Sequence, residues 1–199
     1  MPVKPFDPIA EAIADAEGAP SDADGVPQVF AQAFRAQEAE KQPRELVIIC
    51  YSGDLEKTWA SLILASTAAA SGVPTKMFLT FWGLQTFVKD EVRITGQNWM
   101  QKMLSVMQRP GISHRKLSKM NFLGMGPWMM DSLAKQYGVA KPKELLEAAL
   151  ALGVELMPCQ MTMDMFGLTR DDMIDGMGEP VGAATVIELL SNGAAPLFI

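Results

Sequence analysis

At 199 residues, 49% hydrophobic and 20% charged, the chain is long enough for one domain of ordinary size with a substantial core. Its net charge of −6 is uneven: residues 1–45 carry four Lys/Arg against nine Asp/Glu, which leaves residues 46–199 almost neutral. No basic field is present to attract phosphate backbones, which argues against nucleic acid as a partner.

Residues 1–27 mix Pro2, Pro5, Pro8, Gly18, Pro20, Gly25 and Pro27 with many acids and read as an acidic mobile leader. The N-terminus has neither the basic start nor the apolar h-region of a secretory signal. The segment 28–44 predicts a helix, from Gln28 to Lys41, with Val29, Phe30, Ala33 and Phe34 on one side. Residues 45–199 then read as a single α/β domain. Glu45–Tyr51 is a continuous aliphatic run, the pattern of a central parallel strand buried on both faces. Ser52-Gly53-Asp54 turns it into a helix over Leu55–Ser71, stopped by Gly72 and followed by Pro74. Thr75–Phe81 reads as a second strand, which completes a strand–helix–strand unit of parallel type. The uncharged stretch Thr58–Thr75 approaches membrane-spanning length. Its serines and threonines, and the Gly72-Val73-Pro74 break, favour a soluble helix.

Every methionine except Met1 falls within Met77–Met177, and many lie in an insertion at about 98–137. There, Asn98–Arg109 places Trp99, Met103 and Met107 on a helical stripe, and Leu117–Met130 is apolar and broken by glycine. Apolar insertions of this kind mark oligomer contacts, active-site covers or membrane-surface docking. Lys143–Leu152 predicts a helix, stopped by Gly153. It is followed by a strand ending at Cys159, a helix over Ala183–Leu190 and a last strand, Ala195–Ile199. The fold class is therefore α/β: three layers, a mostly parallel sheet and flanking helices.

Two cysteines make no disulfide scaffold and suit a reducing cytoplasm; 109 positions apart, they form no CxxC pair. Cys159 stands where a strand runs into a helix. Chemistry in open α/β sheets collects beyond the carboxyl ends of strands, and free N–H groups at a helix start favour a thiolate. Cysteine is also among the most buried residue types, so position alone leaves a reactive and a structural thiol both open. Cys50 reads as a second thiol in the site or as a buried small hydrophobe. Tyr51-Ser52-Gly53-Asp54 reads as a capped helix start or an anion-holding turn. It is neither a P-loop nor a dinucleotide fingerprint. His114, the only histidine, sits in Ser113-His114-Arg115-Lys116 and reads as surface or loop. A zinc site lacks partners, and the Met161-x-Met163-x-Met165 run reads as core or interface rather than copper, so no metal is expected.

Several of these segments, in order, resemble the DsrE/DsrF-like sulfur-carrier family in its larger, Met-rich branch. They are Leu46–Lys57 with the Ala-rich helix behind it, Thr80-Phe81-Trp82-Gly83-Leu84, Leu117–Asn121, Gly124-Met125-Gly126, Cys159–Gly167 and Asp175-Gly176. The resemblance spans Leu46–Ile199 and leaves the leader uncovered. It implies a flavodoxin-like α/β fold, homo-oligomers and no organic cofactor. It also implies transfer of sulfane sulfur as a cysteine persulfide or related thio-adduct, between donor and acceptor proteins or small sulfane-sulfur compounds. Cys159, in the C-Q-M motif, matches the carrier cysteine. Backbone N–H groups after Cys159 and at Ser52 and Gly53, with Gln160 and Met161, are expected to stabilise the adduct. Some members of the family are described only as peroxiredoxin-like. Here Leu156 stands where such a site needs threonine, three residues before the cysteine. The alternatives are a non-catalytic binding or assembly protein that uses the Met/aromatic surface, including peripheral membrane contact, and a Cys50–Cys159 redox switch.

Overall fold

The aliphatic run after residue 45 becomes the centre of a four-stranded, wholly parallel sheet in a computed structural model that describes residues 45–119 and 121–199. The expected leader (1–27) and N-terminal helix (28–44) lie outside the described residues. Strand β1 (Leu46–Cys50) pairs with β2 (Thr75–Leu79) on one side and β4 (Ala195–Phe198) on the other. The edge strand β3 (Glu155–Pro158) pairs with β2, giving the order β3-β2-β1-β4. Successive strand residues point to opposite faces. Ile48, Cys50, Met77, Leu79 and Leu156 therefore face one core, and Val47, Phe78, Met157 and Cys159 face the other.

The first face is covered by α1 (Leu55–Ala70) and α5 (Pro142–Ala151), which pack against each other. Leu62 and Ala65 of α1 meet Leu146 and Ala149 of α5 in this core. Trp59 Nε1 donates to the Ala140 carbonyl at 2.9 Å and pins the entry of α5. The second face is covered by α7 (Ala183–Ser191) through Val186. The expected three-layer α/β class with a parallel sheet is what the fold has. Among the described residues no helix is long and apolar enough to cross a membrane.

Two elements differ from the sequence reading. The second strand ends at Leu79 rather than Phe81, because Phe81 opens the short helix α2 (Phe81–Thr86) with φ +46°, a conformation rare for a bulky residue. Its N–H donates to Thr162 Oγ1 at 3.1 Å, a partner 81 positions away. In the insertion, α3 (Trp99–Met107) lies within the expected range. Beyond α3 the insertion forms short 3-10 turns at Ile112–His114 and Phe122–Gly124 and a 13-residue helix, α4 (Met125–Tyr137). Pro127 falls in the first turn of α4, where a missing N–H costs nothing. Trp99, Met103 and Met107 of the expected stripe are exposed, as are Phe122, Met125 and Trp128.

Cys50 belongs to the first core. Burial pushes its thiol from 9.0 to about 12, and a hydrogen bond with Ser61 offsets this in part. The folded value lies above the unfolded one, so the neutral buried thiol contributes stability that is intact below about pH 9 and lost as pH rises toward about 12. Native protein near neutral pH is expected to leave Cys50 unalkylated by iodoacetamide until unfolded. Cys50→Ala is expected to show a shallower loss of stability above about pH 9 than wild type, read from urea midpoints across that range.

Candidate functional site at the carboxyl end of β3

Cys159 is placed by three backbone bonds. Its N–H donates to Leu79 O at 2.9 Å, Gln160 N–H donates to Val181 O at 3.0 Å, and the Cys159 carbonyl accepts from Met163 N–H at 3.0 Å. Cys159 is thus the N-cap of α6 (Gln160–Phe166), with φ −75° and ψ 116°. The N–H groups of Met161 and Thr162, in the first turn, have no backbone acceptor among the described residues. The thiol makes no capping bond. An acceptor lying at the start of α6 would find these two N–H groups uncommitted to backbone. The Gln160 N–H, expected among those donors, is instead committed to Val181.

The start of α6 is also held by side chains. Thr80 and Thr162 hydroxyls lie 3.1 Å apart in a buried pair, and Thr162 Oγ1 also accepts from Phe81 N–H. Trp82 packs against Phe166 with ring centroids 5.1 Å apart. At the far end of α6, Gln101 Nε2 donates to the Asp164 and Met165 carbonyls at 3.2 Å, so the Met-rich insertion clamps the helix that carries Cys159. Gln160 Nε2 donates to Asp164 Oδ1 at 2.8 Å, turned along the helix rather than toward the thiol. Met161 is exposed, and only its N–H stands at the site. Helical geometry splays Met161-x-Met163-x-Met165: Met163 enters the core while the other two face outward.

Cys159 is only 4% exposed. The segment Met177–Val181 runs beside β3, with bridges Leu156↔Met177 and Cys159↔Val181, and Val181 packs into the core that holds the thiol. This segment covers the sheet edge that β3 would otherwise leave open.

The other expected site residues gather elsewhere. Cys50 and Cys159 point to opposite faces, on strands separated by β2. Two strand spacings put their backbones about 9.5 Å apart, beyond the roughly 7 Å limit for a disulfide. A Cys50–Cys159 switch would require the sheet to rearrange. Ser52 Oγ donates to Asp54 Oδ2 at 2.9 Å, and Gly53 lies against Trp82 O and the side chains of Arg115 and Gln108, at the end of β1. His114 is half-buried rather than on the surface, and Arg115 beside it is buried. Thr80, Phe81 and Thr162, which hold the start of α6, fall inside the quoted motifs but were not singled out there, and Val181, which bridges to Cys159, carries no motif that marks it in the sequence. Among the described residues no three His, Cys, Asp or Glu side chains converge on a common point suited to a metal.

Residues 42–198 match the model of the DsrE/DsrF/DrsH-like family. The chain is 35% identical over 159 residues to the uncharacterized protein YrkE of Bacillus subtilis (strain 168), an alignment that covers 80% of this chain and 99% of the relative. It is 34% identical over 161 residues to the sulfur carrier protein DsrE2 of Allochromatium vinosum, covering 79% of this chain and 99% of the relative. With a family match over more than three quarters of its length and two relatives aligned almost end to end, the chain belongs to the DsrE/DsrF/DrsH-like family.

Proposed function

We propose that this protein is a cytoplasmic sulfur carrier in which Cys159 holds sulfane sulfur as a persulfide and hands it from donor to acceptor. The observation that carries the reading is the position of Cys159, capping α6 at the carboxyl end of β3 with the Met161 and Thr162 N–H groups unclaimed. Kinship with a protein named as a sulfur carrier supports a sulfur-carrying role.

In the loading step the Cys159 thiolate attacks the outer sulfur of a donor persulfide, R–S–SH. A sulfur–sulfur bond forms to Cys159, the donor's own S–S bond breaks, and R–S⁻ leaves with the electron pair. Unloading repeats the exchange in reverse, with an acceptor thiolate attacking the outer sulfur of Cys159–S–SH. No net oxidation occurs, so no redox cofactor is required. The Met161 and Thr162 N–H groups favour the charged outer sulfur, as backbone donors do for other developing anions. Exchange requires access to a nearly buried thiol. The Met177–Val181 strip, held to β3 by a few bonds at the sheet margin, is the element whose opening would provide it.

A second reading rests on the exposed apolar side chains of the insertion. Trp99, Met107, Phe122 and Trp128 are each about two-thirds exposed, a surface suited to a partner protein, another copy of the chain or a membrane face. The two readings are compatible when the surface docks the donor or acceptor.

Incubation with a small-molecule persulfide donor is expected to add one sulfur mass to wild type and Cys50→Ser, removable by reductant, and none to Cys159→Ser. Loading of Cys50 alone would contradict the assignment. Val181→Ala is expected to raise the alkylation rate of Cys159 severalfold while Cys50 stays silent; an unchanged rate would show that the strip does not govern access. Trp99→Ser combined with Trp128→Ser is expected to leave loading by small donors intact and to weaken exchange with protein partners, read as separate rates.

A further inference from the structure

The strand order reverses between β1 and β4, and open α/β sheets bind ligands outside the carboxyl ends of strands at such a switch point. Here that place is the Ser52–Asp54 turn opening the 16-residue helix α1. The segment Gln108–Lys116 folds over it and encloses a cleft of about 330 Å³. Pro110-Gly111 makes this possible: Gly111 has φ +102°, and its N–H donates to Gln85 O at 2.9 Å.

The wall of the cleft carries shielded donors with nothing to donate to. Arg115 is 5% exposed; its Nε donates to Gly111 O at 3.1 Å and its Nη2 to Arg109 O. Its Nη1 is fully shielded and has no acceptor among the described residues. This nitrogen is aimed at the turn: a Cβ on Gly53 would lie 2.9 Å from it and 3.2 Å from Gln108 Nε2. His114 Nε2, in the same wall, is also shielded and unpaired among the described residues. The nearby carboxylates are committed elsewhere. Asp54 bonds to Lys57 Nζ and Ser52 Oγ, both at 2.9 Å, and Asp90 accepts from Ser113 N and Oγ at 3.1 and 2.6 Å. Burial pulls Arg115 down to about 10, with Asp90 and Asp54 opposing the shift only in part. At the start of α1 the N–H groups of Glu56 and Lys57 have no backbone acceptor among the described residues, so the helix end adds partial positive charge. A buried, incompletely countered cation beside a helix N-terminus is a setting for an anion.

We propose that this cleft binds a small tetrahedral oxyanion of the sulfate or phosphate class, with Arg115 Nη1, His114 Nε2 and Gln108 Nε2 as side-chain donors. The site lies at the end of β1 and is separate from Cys159. It gives a use to the Ser52-Gly53 turn that carrier chemistry at β3 leaves idle.

The test is isothermal titration of the full chain with sulfate, phosphate and thiosulfate, each against chloride at matched ionic strength. Wild type is expected to bind oxyanions and not chloride; the three arms identify which is preferred. Arg115→Lys keeps the charge but loses the planar fork, and is expected to weaken binding at least about tenfold. His114→Leu and Gln108→Leu, whose folding is checked by circular dichroism, are expected to weaken it as well, and they carry the test if Arg115→Lys fails to fold. Cys159→Ser is expected to bind as wild type, so a failure of the carrier reading leaves this one standing. Crystals soaked in selenate should show anomalous density against Arg115. No preference for oxyanions over chloride, unchanged affinity in the folded variants, or only ordered water in the cleft would overturn the proposal.

Discussion

The bond from Cys159 N–H to Leu79 O fixes where β3 leaves the sheet, and with it the position of the thiol. One residue earlier, Pro158 still pairs with Leu79 in register and points into the first core; one residue later, Gln160 is already helical. Because a strand's side chains alternate, a slip of one position would turn Cys159 into the same core as Cys50 and bury Pro158 on the other face. The β2–β3 register therefore decides which face of the sheet Cys159 takes. Thr162 reinforces it from the other side by tying α6 to Thr80 and Phe81 at the end of β2.

The two thiols differ through this placement rather than through their local sequence. Each stands at the carboxyl end of an apolar strand, and each is buried. Cys50 is enclosed by α1 and the sheet, where ionisation is costly and no partner could reach it. Cys159 lies at the edge strand, beneath a strip held by isolated bridges, next to unclaimed N–H groups. Marginally held elements at sheet edges open with less free energy than core strands. Access to Cys159 is thus compatible with a stable fold in a way that access to Cys50 is not.

Most of the sheet was legible in the sequence because local signals and burial agree there. The aliphatic run Leu46–Cys50 became the central strand, Gly72 and Gly153 ended helices as stop signals do, and the position of Cys159 between strand and helix was readable from its neighbours. What escaped the reading depends on contacts distant in sequence. Phe81 begins a helix instead of ending a strand because Thr162 accepts its N–H. The run Ser113-His114-Arg115-Lys116 looks solvated, yet the turn at Gly111 folds it over the end of β1 and buries Arg115. The spacing of the methionines at 161, 163 and 165 says nothing of which faces they take until the helix axis is set.

The assignment of Cys159 as the sulfur-bearing thiol is tested by the amide NMR spectrum of labelled protein before and after persulfide loading. Large shifts are expected for the Met161 and Thr162 N–H groups, as they donate to the outer sulfur, with reversal on reduction and none in Cys159→Ser. Unchanged amides at these two positions in fully loaded protein, or shifts centred on Cys50, would contradict the assignment.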